Sequence, residues 1–408
     1  MTHVIIGSGA AGMAAAGTIR EIDPAAQITI ISGDDAIYSR CLLHHYISGD
    51  RAGDKMSFVQ DGFFDKYGVG WITGQTVTAI DTENKYVAYG DARVNYDRLL
   101  IATGSNSSIP PVGALREAQN VYGLRHLSDA AAIRAKAGES KRAAVIGAGL
   151  VGLDAAYSLI HAGQKVHVVE LEDRILALNL DSYAAEQYQK RFEDAGCLFT
   201  LGQKAVDTVC TDGAVTALVL ENGESIGCDM VIVAAGVRPA VGFLEGSGVR
   251  VDRFVVVDGH MKTSARDVYA AGDVTGLSGI WPNAVVQGTI AARNMCGGEE
   301  VYSDTFAAKN TVNFFGLATL SVGKTEPDEN DSVEILEDRN VYKKAVITGD
   351  TVSGVILQGD ISNSGHWQHI VKNKIPINAA RRKADRSVFK TTFADYYGID
   401  TDGSYIWA

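Results

Sequence analysis

His3-Val4-Ile5-Ile6-Gly7-Ser8-Gly9-Ala10-Ala11-Gly12 opens the chain with a short apolar run and a glycine-rich turn, and the Ala-rich stretch Met13 to Ile22 follows. The turn has the spacing GxGxxG. Its first glycine permits a tight strand-to-helix turn, its second lets a pyrophosphate approach the backbone, and its third lets the helix pack closely on the sheet. A helix N-terminus adds unpaired N–H groups and a partial positive charge, both favourable to phosphate. The next apolar run, Gln27 to Ser32, leads to Asp34. An acid at that distance binds a ribose hydroxyl. The stretch predicts a strand–helix–strand unit holding a dinucleotide, with Gly7, Gly9, Ala10, Ala11, Gly12 and Asp34 around it.

The same grammar returns later. Arg142 to Ile146 reads as a strand, Gly147-Ala148-Gly149-Leu150-Val151-Gly152 as the turn, Leu153 to Ala162 as a helix, and Lys165 to Val169 as a strand closing on Glu170. Each copy has the strand, helix and acid that the fingerprint requires, so the pair is far more specific than either glycine triplet alone. The two copies are a duplication of one binding unit rather than a solenoid repeat. They need not take the same ligand. Glu170 ends its strand where a carboxylate clasps free 2′ and 3′ hydroxyls and repels a 2′-phosphate, which favours NADH over NADPH. Arg174, four residues on, leaves some room for NADPH.

Composition sets the outer limits. The chain has 408 residues, 46% hydrophobic and 21% charged, the profile of a globular protein with two or three domains. A formal net charge of -12 argues against nucleic acid, which needs a positive field. No apolar run reaches the roughly 20 residues of a membrane span. Met1 to Gly7 enters a strand without a basic leader, so a cytoplasmic location is expected. The five cysteines, Cys41, Cys197, Cys210, Cys228 and Cys296, are scattered and form no CxxC; neither a disulfide framework nor a metal site is expected.

Alternating strands and helices predict an α/β fold with two Rossmann-like domains. Ser105 to Pro111 reads as a linker. Beyond about Ser303 no glycine fingerprint occurs. There, Thr311 to Leu320, Val341 to Ile347 and Val352 to Leu357 read as strands and His366 to Lys372 as a helix, while acidic Glu326 to Asp338 reads as a solvated loop or edge.

Further motifs carry a family resemblance. Leu99-Leu100-Ile101-Ala102-Thr103-Gly104 and Val231-Ile232-Val233-Ala234-Ala235-Gly236-Val237-Arg238-Pro239 are similar to the paired crossings between two nucleotide domains. Thr263 to Val274, containing Gly272 and Asp273, is similar to a second flavin motif. Together with the fingerprints they resemble the pyridine nucleotide-disulfide oxidoreductase family of two-dinucleotide-binding-domain flavoproteins. The resemblance implies FAD in the first site, with Asp273 on its ribityl chain, and NADH in the second. It implies an FAD domain in two parts, residues 1–108 and 237–302, an inserted NAD(H) domain at 109–236, and a C-terminal α+β interface-type domain at 303–408. Trp281, at the start of a helix expected beneath the flavin, either flanks the ring or packs in the core.

The branch turns on Tyr38-Ser39-Arg40-Cys41-Leu42-Leu43-His44-His45-Tyr46-Ile47-Ser48-Gly49. Tyr-Ser-Arg before Leu-Leu resembles rubredoxin, ferredoxin and nitrite reductase flavoproteins, which pass electrons to a metalloprotein. The single Cys41 resembles NADH oxidases and coenzyme A disulfide reductases. That branch, however, follows its Cys with Gly-Leu-Pro where this chain has Leu42-Leu43-His44, and its oxygen- and peroxide-reducing members carry a His where Ala10 stands. No CxxxxC pair exists for a dithiol relay. The carrier-linked branch often has a Lys–Glu pair where this chain has His45 and Asp154, so these two are candidates for a cation held beside the flavin; the alternative for His45 is packing beside a helix. Cys41 reads either as a redox thiol or as a small residue where relatives have Pro.

Electrons taken as a hydride and released singly imply a protein electron carrier as partner. The alternatives are an NADH-oxidising subunit of a larger metalloenzyme, to which the aromatic ending Phe393, Tyr396, Tyr397, Tyr405 and Trp407 offers a surface, and a Cys41-dependent oxidase or disulfide reductase. Lys372, Lys374, Arg381, Arg382, Lys383 and Arg386 form the candidate landing patch for an acidic carrier. The resemblance is also compatible with a homodimer.

Overall fold

A computed structural model describes residues 1–304, 306–376, 387–390, 397–399 and 405–407. Its contacts divide the chain into two compact units, each assembled from separate stretches of sequence.

The first unit comprises Met1–Pro111, Leu115–Ser140 and Ile232–Ala307. Its centre is a five-stranded parallel sheet in the order Val268–Ala270, Arg98–Ile101, Thr2–Ile6, Gln27–Ile31, Val69–Ile72. Successive side chains of a strand face opposite ways, and both faces are covered. Ile5, Ile28, Ile30 and Leu100 pack under the helices Ala10–Ile22 and Trp281–Met295. Val4, Ile6, Leu99 and Ile101 pack with Val77, Ile80 and Val87 of the antiparallel strands Val77–Asp81 and Tyr86–Tyr89. The two helices cross tightly, since a Cβ on Gly288 would lie 2.2 Å from the Ala11 carbonyl oxygen.

The second unit comprises Val112–Ala114, Lys141–Val231 and Ala308–Ala408. Arg142–Ile146, Lys165–Val169 and Leu198–Thr200 form parallel strands joined through the helices Leu150–His161 and Ser182–Asp194. The C-terminal sheet is antiparallel, in the order Lys309–Phe314, Leu317–Gly323, Thr351–Gln358, Val341–Thr348, Asp331–Asp338, with the helix Ser364–Asn373 beside it. It is seated on the helix Ser182–Asp194. The fully buried Tyr188 donates its hydroxyl to the Leu317 carbonyl, and Phe192 meets Phe314 edge-on at 5.3 Å. Gln358 donates to the Ala184 carbonyl at 3.1 Å.

Three expectations need correction. Ser105–Ser107 is not a linker but a short strand paired with Val237–Pro239, so the two crossings are tied by backbone hydrogen bonds. Thr311 to Leu320 is a hairpin rather than one run: Phe315 and Gly316 both have positive φ and reverse the chain. Acidic Asp331–Asp338 is a strand at the sheet edge, the second of the two forms expected for this stretch; Glu337 and Asp338 are exposed, while Asp331 turns its carboxylate onto Lys324 at 2.9 Å. The helices Ala10–Ile22 and Leu150–His161 each start three residues earlier than their apolar pattern suggests, because the last glycine of each fingerprint is already helical. Among the described residues, no helix is long and apolar enough to cross a membrane.

Candidate active site

In the first unit the carboxyl ends of the strands open onto a cleft of about 470 Å³, the place where open α/β sheets bind nucleotides. Gly7 has φ +110°, and a Cβ there would sit 2.2 Å from the Ala102 carbonyl oxygen. A Cβ on Gly12 would meet the Gly7 carbonyl at 2.0 Å. These two glycines are spent on protein packing. Gly9 is different: a Cβ there would meet only a guanidinium nitrogen of Arg40, at 3.4 Å. The helix beginning at Ala10 has Gly9 as its cap residue, no side-chain cap and no acid in its first turn. Its N-terminus is therefore electrically ready for an anion. Ala10, Ala11, Ala102, Thr103 and Gly104 line the same cleft, and Thr103 donates its hydroxyl to the Ala240 carbonyl at 2.9 Å.

Two carboxylates are fixed at the cleft. Asp34 accepts from the Tyr38 hydroxyl at 2.7 Å and from Arg40 at 3.0 Å, and the His126 Nδ1 lies 3.3 Å away. Burial works to raise its pKa, but the hydrogen bonds from His126 and Tyr38 and the Arg40 charge win, so the carboxyl is held below its ordinary value. Burial pushes the Tyr38 phenol far up, keeping it a neutral donor. Asp273 follows Gly272, whose φ is +83°, and is ion-paired to Arg125 at 2.5 Å. Ser105 Oγ is 3.4 Å from the same oxygen. Gln287, fully buried, accepts the Gly272 N–H at 2.8 Å and fixes this turn.

Arg125 and His126 both line the cleft, and the sequence reading missed them. No repeated motif marks Tyr122 to Leu127, which holds a single glycine, Gly123; the available signal is a cation and an imidazole just before the helix Leu127–Ala137. Exposed Cys41 and partly exposed Trp281 also line the cleft. Trp281 is braced edge-on by Phe58 at 4.6 Å. His45 is outside this lining. Its Nδ1 lies 3.5 Å from Asp50, an acid that the sequence reading did not single out. Gly236 lies between the buried run Met230–Val233 and the strand Val237–Pro239.

The second unit repeats the turn. Gly147 has φ +103°, Gly149 caps a helix with no side-chain cap and no acid in its first turn, and a Cβ on Gly149 would meet nothing within 4 Å. Leu150, Val151 and Gly152 form that first turn, with Val151 44% exposed to solvent. Glu170 is held by backbone donors, accepting from Ala148 N–H at 2.5 Å and Glu172 N–H at 2.9 Å. A carboxylate has about four acceptor sites, so an oriented Glu170 keeps capacity for a ribose diol. Asp154 lies one turn into the helix. Its surroundings desolvate the carboxyl and push its pKa up to about 7.

Lys372 ends the helix Ser364–Asn373 and Lys374 follows it with positive φ. Arg381, Arg382, Lys383 and Arg386 lie outside the described residues, as do Phe393 and Tyr396; Tyr397, Tyr405 and Trp407 fall in two short paired strands.

A fold with two nucleotide turns, one beside a deep carboxylate-lined cleft, defines a two-nucleotide oxidoreductase. The residues fit FAD in that cleft: Arg40 has a buried Nε without a partner among the described residues, Gly9 leaves open backbone, and Asp34 and Asp273 are fixed acceptors. Residues 1–288 match the pyridine nucleotide-disulphide oxidoreductase model, and 309–375 match the rubredoxin NAD+ reductase C-terminal domain. The chain belongs to the pyridine nucleotide-disulphide oxidoreductase family. It is an FAD-dependent oxidoreductase that uses NADH.

Among its relatives is the NADH-dependent phenylglyoxylate dehydrogenase subunit epsilon of Aromatoleum evansii, 31% identical, with 93% of this chain and 94% of that one covered. The assimilatory nitrate reductase electron transfer subunit of Bacillus subtilis is 33% identical over 88% of this chain, which spans only 47% of that relative. The solved structure of a covalent putidaredoxin reductase–putidaredoxin complex is similar with a TM-score of 0.82 and 25% identity, covering 92% of this chain and 94% of that one.

Proposed function

We propose that this chain passes electrons from NADH to a one-electron protein carrier of the rubredoxin or ferredoxin type. The observation that carries this reading is the C-terminal domain, whose residues 309–375 match the rubredoxin NAD+ reductase C-terminal domain. A solved relative bound to putidaredoxin supports it.

In this reading FAD, when bound, supplies a centre that accepts a hydride and gives up electrons singly. Gly9, Ala10 and Ala11 present N–H groups to its pyrophosphate, and Arg40 adds a fixed positive charge there. Asp34 accepts from the adenosine ribose and Asp273 from the ribityl chain. Ala102, Thr103, Gly104 and Gly272 wall the cleft, Gly236 closes the second crossing, and Trp281 excludes water beside the ring. Gly147, Gly149, Leu150, Val151, Gly152 and Glu170 bind NADH. His45 and Asp154 are the two side chains that would stabilise charge developing on bound FAD. Asp50 is a second acid available to His45. The four-part division at residues 108, 236 and 302 and a cytoplasmic location belong to the same reading.

A second reading has one specific support. One relative that matches this chain over nearly its whole length is named as subunit epsilon of a phenylglyoxylate dehydrogenase. On that reading the carrier is a partner subunit. Anaerobic reduction by NADH, followed by presentation of rubredoxin, ferredoxin, oxygen and disulfides, tests the first. Fast reoxidation by a carrier alone is expected; reoxidation only by oxygen or disulfides overturns it. A polypeptide that co-purifies in equal amount and is needed for turnover selects the second. Light scattering on the same sample reports whether the chain pairs with itself.

A further inference from the structure

Arg174 lies four residues past Glu170, close enough in sequence to serve a 2′-phosphate. The structure shows it occupied elsewhere. Its Nη1 is 3.4 Å from Asp173 and its Nη2 is 3.4 Å from Glu326. Glu326 comes from the C-terminal domain, 152 residues away in sequence. The other oxygen of Glu326 is itself anchored, 3.2 Å from Lys344 Nζ. Lys344 is buried and pairs with the equally buried Asp181 at 3.0 Å. Asp181 caps the helix Ser182–Asp194 through the Ala184 N–H and accepts from Tyr342 at 2.6 Å.

The chain of contacts has a direction. A buried, doubly tied Lys344 holds Glu326 in position, and Glu326 holds the guanidinium of Arg174. The Arg174 side chain is only 26% exposed, and its Nε is buried without a partner among the described residues. An arginine set between two carboxylates has its charge answered already. A 2′-phosphate arriving at the end of Lys165–Val169 would have to displace one of them, beside a third carboxylate, Glu170.

We infer that Glu326 is a specificity residue for the nicotinamide nucleotide, acting through Arg174. It holds Arg174 away from a 2′-phosphate, and so reinforces the choice of NADH that Glu170 makes directly. The inference rests on the Gly147–Glu170 turn being the NADH site. Its new content is that part of cofactor choice is written in the C-terminal domain, outside the nucleotide fold. Releasing Arg174 should therefore admit NADPH without any change in the glycine turn.

The test uses the FAD-loaded chain and two non-redox probes, 5′-AMP and 2′,5′-ADP, with dissociation constants from calorimetry. Glu326→Gln keeps the size of the side chain, removes its charge and one of its two acceptor oxygens, and leaves Lys344 paired to Asp181. The expected result is a roughly tenfold tightening for 2′,5′-ADP with 5′-AMP changed less than twofold. Adding Arg174→Gln to that variant should abolish the gain. Arg174→Gln alone should leave the wild-type ratio of the two constants within twofold, which keeps the inference testable if Glu326→Gln folds poorly. An unchanged ratio in Glu326→Gln overturns it, as does a loss of 2′,5′-ADP affinity in Arg174→Gln alone. Binding of neither probe to the wild type would instead bring down the NADH-site reading, and this inference with it.

Discussion

Arg125 donates to Asp273 across 2.5 Å at the mouth of the cleft, joining the segment before the helix Leu127–Ala137 to the turn after Val268–Ala270. The pair is partly shielded, with both side chains 21% exposed. It is worth more than an open surface ion pair and fixes the carboxylate that the proposed function gives to the ribityl chain. Arg125→Ala frees Asp273 and should loosen FAD about tenfold or more. The check is the flavin absorbance retained after gel filtration, and full retention would count against the assignment.

The two glycine turns predict opposite failures. Gly7→Ala puts a methyl 2.2 Å from the Ala102 carbonyl oxygen at a φ of +110°, so the backbone must move and the first unit should be recovered poorly and colourless. Gly149→Ala meets nothing within 4 Å, and the φ of −75° at Gly149 is one that any residue adopts. This variant should fold and keep its flavin but bind NADH roughly 10- to 100-fold more weakly, because the methyl occupies the space a pyrophosphate needs. Stopped-flow reduction against NADH concentration measures it.

Asp154 gives a pH prediction. Desolvation raises its pKa from the ordinary carboxylate value of 3.8 to about 7. Below about pH 4 the carboxyl is protonated in both folded and unfolded chains, and no penalty arises. As pH rises from 4 to 7, the unfolded chain releases the proton while the folded chain retains it, so stability falls through that window and levels off above it. At roughly 1.4 kcal/mol per unit the loss is on the order of a few kcal/mol. Asp154→Asn should melt at a higher temperature than wild type at pH 8, relative to their difference at pH 4. The same variant should slow flavin reduction if Asp154 supports His45. Parallel pH dependence of the two melting curves would refute the stability argument.

Cys41→Ser separates the two electron routes. Cys41 is exposed and lines the cleft, but the carrier-linked reading gives its thiol no electron to carry. NADH-dependent carrier reduction should stay within about twofold of wild type, whereas a thiol-dependent route would lose nearly all turnover. Steady-state assays with rubredoxin and with a disulfide acceptor distinguish the outcomes.

The glycine turns, their acids and the parallel sheet were readable because local rules dictate them: a turn that needs Gly7 or Gly147 at positive φ tolerates little else. Asp34 was legible for the same reason. Its partner His126 was not, since it reaches Asp34 from 92 residues away and no local rule announces such a contact. Arg125 was hidden likewise, and so was the short strand Ser105–Ser107, which exists only because Val237–Pro239 lies beside it. The hairpin at Phe315-Gly316 was misread because an apolar run looks continuous when its reversal uses one aromatic residue and one glycine.

The seating of Tyr188 and Gln358 carries a practical consequence for anyone recombining such flavoproteins. Exchanging the C-terminal domain alone would strip partners from the helix Ser182–Asp194, leaving the buried Tyr188 phenol orphaned and the Ala184 carbonyl without the Gln358 amide. The transferable cassette is Val112–Ala114 and Lys141–Val231 together with Ala308–Ala408, so a graft meant to alter the electron acceptor inherits its nucleotide donor as well.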